Sequence, residues 1–293
     1  MDIFRGCYFV SAQESRARGR ALVRKSKALP LSATAGTIAG RTTIAGVPIH
    51  VADFRTVLRT IVDRAECGDG AANGYVVTPN AHHVVMYQKD ALLRQIYDRA
   101  FLVVPDGVPL LWAAKFLGGS LAGRVNGTDL VQSLCAEAEA RGLRVFFLGG
   151  RPGAALAAAE RLRARHPALD VCGTYCPAFG FKNDPIECAN IVERVNSARP
   201  HLLFVGLGAP KQEYWMYRHR DALRVPMSIG IGVSFELIGG VIRRAPLWMQ
   251  FAGLEWFFRL LAEPKRLWKR YVFGNSAFCM LVARQYLNWR ANR

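Results

Sequence analysis

The sequence lacks a long uncharged hydrophobic run. Its longest candidate, residues 271–283, has about 13 residues and contains Asn275, whereas a membrane-spanning helix needs about 20 apolar residues. The N-terminal region has only a short apolar patch at residues 7–10, which is shorter than the hydrophobic region of a signal peptide. We therefore expect a cytoplasmic protein whose membrane contact is peripheral, on the inner face of the cell membrane.

The sequence also lacks a zinc-binding pattern of cysteines. It has seven cysteines with scattered spacing, and Cys172 and Cys176 form the only close pair. Zinc sites usually combine two such pairs, or one pair with nearby histidines. The sequence therefore predicts free or buried thiols in a reducing compartment and no metal site.

Several common signatures of nucleotide-binding enzymes and hydrolases are missing. The glycine-rich segments 148–153, 206–211 and 230–235 all depart from the dinucleotide pattern G-x-G-x-x-G. No P-loop and no G-x-S-x-G elbow occurs. These absences argue against a P-loop enzyme and an α/β-hydrolase. A nucleotide-binding oxidoreductase stays open as an alternative.

Acidic residues are few, 22 against 39 basic ones, which gives a formal net charge of +17. Residues 1–41 carry +6 of this charge and residues 241–293 carry +8, so the middle of the chain is nearly neutral. Basic terminal regions attract anionic surfaces, either nucleic acid or lipid headgroups. A basic nucleic-acid-binding α/β protein is therefore a second alternative. The nearly neutral middle favours a small polar ligand and no nucleic-acid partner.

Composition divides the chain into three predicted regions. Residues 1–41 are rich in Arg, Ser, Ala and Gly without periodicity and predict a basic, disordered leader. Residues 42–241 predict an α/β domain. Residues 242–293 interleave aromatic and basic side chains and predict a helical appendage that associates with an anionic membrane surface. The alternative for this last region is a helix packed on the domain with a solvated basic face.

Short β-rich runs alternate with stretches of helical period in the middle region. The runs are residues 75–78, 101–104, 145–148, 202–205 and 227–231, and each is followed by Gly, Pro, Asn or Asp. Helical stretches include residues 153–165 and 185–197. This alternation predicts a Rossmann-like parallel sheet with helices on both faces.

Ligands of such sheets bind beyond the carboxyl ends of the strands. Three of the five predicted strand ends are glycine-rich. Glycine lets a backbone approach a phosphate closely, and the start of the following helix offers unpaired N–H groups. A nucleotide diphosphate suits such a rim, although each glycine can equally serve a tight strand–helix turn.

Several linked sequence blocks carry a family resemblance. They are TPNAHH at 78–83, PDGVP at 105–109, RVNGTD at 124–129, GLGAPKQE at 206–213, GGVIRRAP at 239–246, GLEW at 253–256 and RLLAEP at 259–264. Together they resemble the WecG/TagA/CpsF family of bacterial glycosyltransferases over residues 42–271. The leader lies outside this resemblance.

The resemblance implies an inverting transferase that uses a UDP-sugar without a cofactor or bound metal. The sequence contains no D-x-D motif, as expected for that type. The implied acceptor is a sugar linked to undecaprenyl diphosphate, and the implied products are surface polysaccharides or exopolysaccharides. The resemblance further links the C-terminal appendage to membrane attachment and to completion of the active site.

Asp106 is the predicted catalytic base. An inverting transfer needs one group that takes the proton from the acceptor hydroxyl, and Asp106 directly follows a predicted strand, between Pro105 and Gly107. Its position matches the base proposed for the family. The alternative is that Asp106 caps the helix that follows it. Asp129 is the weaker candidate, because capping is the more common role at a helix start.

The remaining candidate site residues are expected to bind substrate. Thr78, Asn80 and Asn126 offer hydrogen bonds to sugars, and Arg124 and Lys211 offer positive charge to phosphates. His82 and His83 are expected to pack or to begin a helix. The other substrate-binding candidates are Gly149, Gly208, Gln212 and Glu236 on the rim, and Arg243, Arg244, Arg266 and Arg270 in the appendage.

Overall fold

The computed structural model describes residue 38, residues 40–67 and residues 73–292. The side chains of Phe251, Arg266, Lys269 and Arg270 are not described. Nearly all of the predicted leader, residues 1–41, therefore lies outside the described residues.

The described chain begins with an antiparallel hairpin. Strand β1 (Arg41–Ile44) pairs with strand β2 (Val47–His50). The two residues between them, Ala45 and Gly46, have φ angles of 47° and 83°. A two-residue turn with both φ angles positive matches the right-handed twist of the strands that it joins.

A six-stranded parallel sheet forms the centre of the protein. In space the strands follow the order β4-β3-β8-β7-β5-β6. They are β3 (Gly74–Val77), β4 (Leu102–Val103), β5 (Val145–Gly149), β6 (Val171–Tyr175), β7 (Leu202–Gly206) and β8 (Met227–Gly230). The predicted parallel sheet is confirmed.

Nine helices of the described chain connect and cover these strands. They are α1 (Phe54–Glu66), α2 (Ala81–Lys89), α3 (Ala91–Arg99), α4 (Val108–Phe116), α5 (Gly127–Arg141), α6 (Ala154–Arg163), α7 (Pro185–Ala198), α8 (Lys211–His219) and α9 (Ser234–Gly239).

Successive residues of each central strand point alternately into two separate hydrophobic cores. On β5, Phe147 points into the core under α1, α5, α6 and α9, whereas Phe146 joins the core under α2, α3, α4, α7 and α8. In the first core Phe147 stacks on Phe235 of α9 and meets Phe204 of β7 edge-to-face. Burial on both faces explains why these strands are continuous apolar runs, and it confirms the prediction of helices on both sides.

The appendage consists of three helices. These are α10 (Leu247–Phe251), α11 (Glu255–Ala262) and the long α12 (Pro264–Ala291). Phe278 and Val282 of α12 are buried in the core shared with α2. The side chain of Gln285 accepts a hydrogen bond from the Ala45 N–H at 2.5 Å and donates one to the Thr43 carbonyl at 2.9 Å.

The second half of α12 is thus packed on the α/β core, as the packed-helix alternative predicted. Among the described residues, no helix has both the length and the apolar composition required to cross a membrane.

Candidate active site

A cleft of about 870 Å³ opens at the carboxyl ends of the parallel strands. Residues that follow β3, β4, β5, β6, β7 and β8 all contribute to its walls. Nine of the predicted site residues line it: Thr78, Asn80, Asp106, Arg124, Asn126, Gly208, Lys211, Gln212 and Glu236. The structure therefore brings most of the predicted residues to one place.

Three predicted residues lie elsewhere within the described chain. Gly149 does not line the cleft: a Cβ atom there would approach the Gly206 carbonyl to 2.9 Å, so Gly149 allows two strand ends to pack closely. Arg243 is exposed and does not line the cleft, and Arg244 forms ion pairs with Asp129 and Glu255. The side chains of the remaining two candidates, Arg266 and Arg270, are outside the described part.

Asp106 lies at the floor of the cleft. Its backbone N–H donates to the Pro79 carbonyl at 2.9 Å, which ties it to the loop after β3. Its Oδ1 accepts hydrogen bonds from Asn126 Nδ2 and from the Gly127 N–H, both at 3.1 Å. Asp106 does not cap the following helix, because the N-cap residue of α4 is Gly107 and no side chain caps this helix. The capping alternative for Asp106 is therefore wrong for α4.

The surroundings of Asp106 raise the pKa of its carboxyl above the usual value. Burial is the main cause, and the negative charge of Glu255 acts in the same direction. The hydrogen bond from Gly127 and the positive charges of Arg124 and His83 oppose the rise. A carboxylate with a raised pKa is a better proton acceptor than an ordinary aspartate.

Asn126 is the capping residue of α5. Its Oδ1 accepts from the N–H groups of Thr128 and Asp129 at 3.0 and 3.4 Å, which stabilises the first turn of the helix. The expectation that Asp129 caps this helix is wrong. The two carboxylate oxygens of Asp129 instead accept hydrogen bonds from Nη1 and Nη2 of Arg244, at 2.6 and 2.9 Å. This two-point contact fixes Arg244 against the helix start.

An ion pair joins the α/β core to the appendage beside Asp106. Arg124 donates from Nη1 to Glu255 Oε2 at 3.0 Å, and the other oxygen of Glu255 lies 3.5 Å from Arg244 Nε. Glu255 is the first residue of α11 and lines the cleft. Sequence reasoning did not select Glu255, although it stands in one of the quoted family blocks.

Thr78, Asn80 and Gln212 join neighbouring loops of the rim. Thr78 Oγ1 donates to the Gly230 carbonyl at 2.9 Å. Asn80 caps α2 by accepting from the His82 N–H, while its own N–H donates to His83 Nδ1. Gln212 accepts from the Gly232 N–H at 3.0 Å. As predicted, His82 and His83 lie at the start of a helix. The hydrogen bonds of Thr78 and Gln212 connect neighbouring loops of the rim to each other.

Glu236 offers an acceptor to a ligand in the cleft. It is buried, and its Oε1 accepts from the Arg151 N–H at 3.0 Å. Its Oε2 has no hydrogen-bond partner within the part of the chain that the structure describes. A buried carboxylate oxygen without a partner is costly, and here it belongs to a residue of the cleft wall.

Three cationic side chains of the cleft, Arg151, Lys182 and Arg259, and one aromatic pair were missed from the sequence. Arg259 follows Glu255 by four residues on α11, so both lie on the same helix face and line the cleft. That spacing was the available signal. Trp256 and Tyr271 of the appendage also line the cleft. On the opposite wall, Lys182 belongs to residues 177–183, which follow β6.

No group of three or more His, Cys, Asp or Glu side chains within the described residues is placed to hold a metal ion.

The fold and the cleft define an α/β protein that binds its ligand at the carboxyl ends of a parallel sheet. Residues 42–292 match the model of the glycosyl transferase WecG/TagA/CpsF family. The chain therefore belongs to this family and is a glycosyltransferase, which confirms the resemblance seen in the sequence. Membership decides against the oxidoreductase and the nucleic-acid-binding alternatives.

Curated relatives share one name, N-acetylglucosaminyldiphosphoundecaprenol N-acetyl-beta-D-mannosaminyltransferase. The protein of Bacillus spizizenii (strain ATCC 23059 / NRRL B-14472 / W23) is 29% identical over 226 residues, which cover 76% of this chain and 85% of that protein. The protein of Bacillus subtilis (strain 168) is 29% identical over 182 residues, covering 62% and 68%. That of Staphylococcus aureus (strain NCTC 8325) is 27% identical over 235 residues, covering 79% and 90%.

Proposed function

We propose that this enzyme moves a sugar from a UDP-sugar onto a sugar linked to polyprenyl diphosphate, with inversion at the anomeric carbon, during surface polysaccharide or exopolysaccharide synthesis. The names of the relatives support this acceptor class. The observation that carries the proposal is the position of Asp106, a carboxylate of raised pKa in a cleft that also contains arginines from the core and the appendage.

In the proposed reaction, Asp106 takes the proton of the acceptor hydroxyl as its oxygen attacks the anomeric carbon of the donor. The bond from that carbon to the diphosphate oxygen breaks, and UDP leaves with the electron pair. Arg124, Lys211 and Arg259 line the cleft and supply positive charge for the diphosphates. Preorganised positive charge of this kind stabilises the leaving group as its negative charge develops.

The donor nucleotide is proposed to lie along the glycine-rich strand ends. Gly208 and Gly232 both have positive φ angles, and a Cβ atom at either position would meet open space. These backbones can therefore approach a diphosphate without a side chain between. Glu236 and Gln212 then offer acceptors and donors to the ribose and the base.

The reaction can be tested with the full-length protein, a short-chain lipid-diphosphate N-acetylglucosamine and a panel of UDP-sugars. We expect release of UDP that requires the acceptor and that persists in EDTA, because the sequence has no D-x-D motif. Omission of the acceptor is the control. Loss of activity in EDTA that manganese restores would contradict a metal-independent mechanism.

The appendage is proposed to hold the enzyme on an anionic membrane surface. Its large apolar side chains remain exposed next to basic ones such as Lys265. The exposed set on α10, α11 and the first part of α12 is Leu247, Trp248, Phe257, Leu261, Trp268, Val272 and Phe273. Exposed apolar patches of this density are typical of interaction surfaces, and adjacent cations favour anionic lipid.

Replacing both Trp268 and Phe273 with alanine is expected to weaken binding to anionic liposomes at least about tenfold, because burial of one large apolar side chain contributes roughly 1.5–3 kcal/mol. Transfer to a water-soluble acceptor should change little. Trp256 is unsuitable for this test because it lines the cleft. Leu156→Ala, on the exposed surface of α6, is the matched control. Unchanged flotation of the double variant with liposomes would refute the proposed surface.

A further inference from the structure

The appendage adds the carboxylate of Glu255 to the cleft that contains Asp106 and Glu236. Glu255 bonds to Arg124 at 3.0 Å and lies 3.5 Å from Arg244, and all three side chains are at most about a fifth exposed. Arg244 is held in turn by Asp129. The only part of this cluster that comes from α11 is Glu255.

The reaction proposed above uses Asp106 as its one base and assigns Glu236 to the donor, so the carboxylate of Glu255 needs another explanation. Like charges in a partly dehydrated cleft raise each other's affinity for protons, whereas opposite charges lower it. The charged groups that act on Asp106 are Glu255 from the appendage, Arg124 from the segment before α5, and His83 from α2. Glu255 is therefore the one acidic side chain among them.

We propose that Glu255 is a positioning residue, because it holds Arg124 and Arg244 at the start of α5, where Asn126 and Gly127 bond to Asp106. This inference rests on the proposed role of Asp106. Glu255 restrains Arg124 and adds a negative charge near the base. Without that charge, Asp106 becomes a weaker base.

The test is the pH dependence of turnover in Glu255→Gln. Glutamine keeps the shape and a hydrogen-bond acceptor for Arg124 but removes the charge. A base acts when deprotonated, so activity falls as the pH drops through the pKa of Asp106. Removing the charge of Glu255 lowers that pKa, and the acid limb should move measurably to lower pH. The turnover at the plateau should fall a few-fold, because a weaker base accepts the proton less readily.

Two further variants make the test specific. Glu255→Asp keeps the charge and should retain an acid limb close to that of the unchanged enzyme. Glu263→Gln removes the carboxylate that bonds to Arg151 at 2.6 Å, another ion pair between appendage and core, and should leave the limb in place. An unmoved limb in Glu255→Gln overturns the proposal. An equal movement in Glu263→Gln also overturns it, because the effect would then not depend on the charge of Glu255 itself.

The titration of Asp106 can also be followed without any substrate. In protein whose side-chain carboxyl groups are isotopically labelled, NMR detects the resonance of Asp106. This resonance is assigned as the one that is absent from the spectrum of Asp106→Asn. We expect its midpoint to move to lower pH in Glu255→Gln and to stay in Glu263→Gln. If no UDP-sugar is a donor, the proposed function fails, whereas this titration still decides the role of Glu255.

Discussion

Replacing Asp106 with asparagine is expected to lower turnover about 10²–10⁴-fold, the usual contribution of a positioned general base. Asparagine keeps an oxygen that can accept from Asn126 and Gly127, so the floor of the cleft should keep its shape. Binding of UDP should therefore change little. Steady-state kinetics with a soluble acceptor, together with calorimetry of UDP binding, separate the two effects.

Asp53→Asn is the matched control for this substitution. Asp53 caps α1 by accepting from the Thr56 N–H and is exposed. Asparagine is an equally good cap, so this variant should turn over normally. If Asp106→Asn keeps more than about a third of normal turnover, Asp106 has a structural role only and another group is the base.

Replacing Arg259 with alanine is expected to lower kcat/KM about 10²–10³-fold, the typical cost of removing one preorganised group that stabilises developing charge. Arg259 lines the cleft from α11, on the face that also carries Glu255. Assays should use a water-soluble acceptor, so that membrane binding does not limit the rate. Arg259→Lys should recover only part of the activity, because lysine lacks the planar fork that contacts two oxygens.

Arg284→Ala provides the comparison for Arg259. Arg284 is an exposed cation of α12 outside the cleft, and its loss should leave transfer to the soluble acceptor unchanged. If Arg259→Ala weakens liposome binding but not this transfer, Arg259 belongs to the membrane surface and the leaving diphosphate is stabilised by other groups.

The sheet could be predicted from the sequence where its strands are buried on both faces. The runs at 145–148 and 202–205 match β5 and β7 to within one residue, because a strand between two helical layers must be apolar throughout. Strand β6 was missed. It lies at the edge of the sheet, most of its residues are only partly buried, and it contains Gly173.

The part of the candidate site that lies just after the ends of the strands could be predicted from the sequence. Asp106 and Gln212 follow buried strands, so their presence at the rim follows from the fold. The contact between Arg124 and Glu255 joins residues 131 positions apart, and no periodicity indicates it. Arg243 and Arg244 are adjacent arginines that the sequence alone does not distinguish. Arg243 is exposed, whereas Arg244 is bound to Asp129.

The order of the strands also constrains how the chain assembles during synthesis. Strands β3 and β4 form one side of the sheet, and β7, β5 and β6 form the other; β8 lies between them and pairs with both β3 and β7. Until Met227–Gly230 leaves the ribosome, the two halves present open edges that can pair wrongly. Strand β8 completes the sheet, and α12, which packs on α2, emerges only afterwards. The exposed apolar side chains of the appendage are thus made only after all six strands of the sheet, which they could otherwise contact before the sheet is complete.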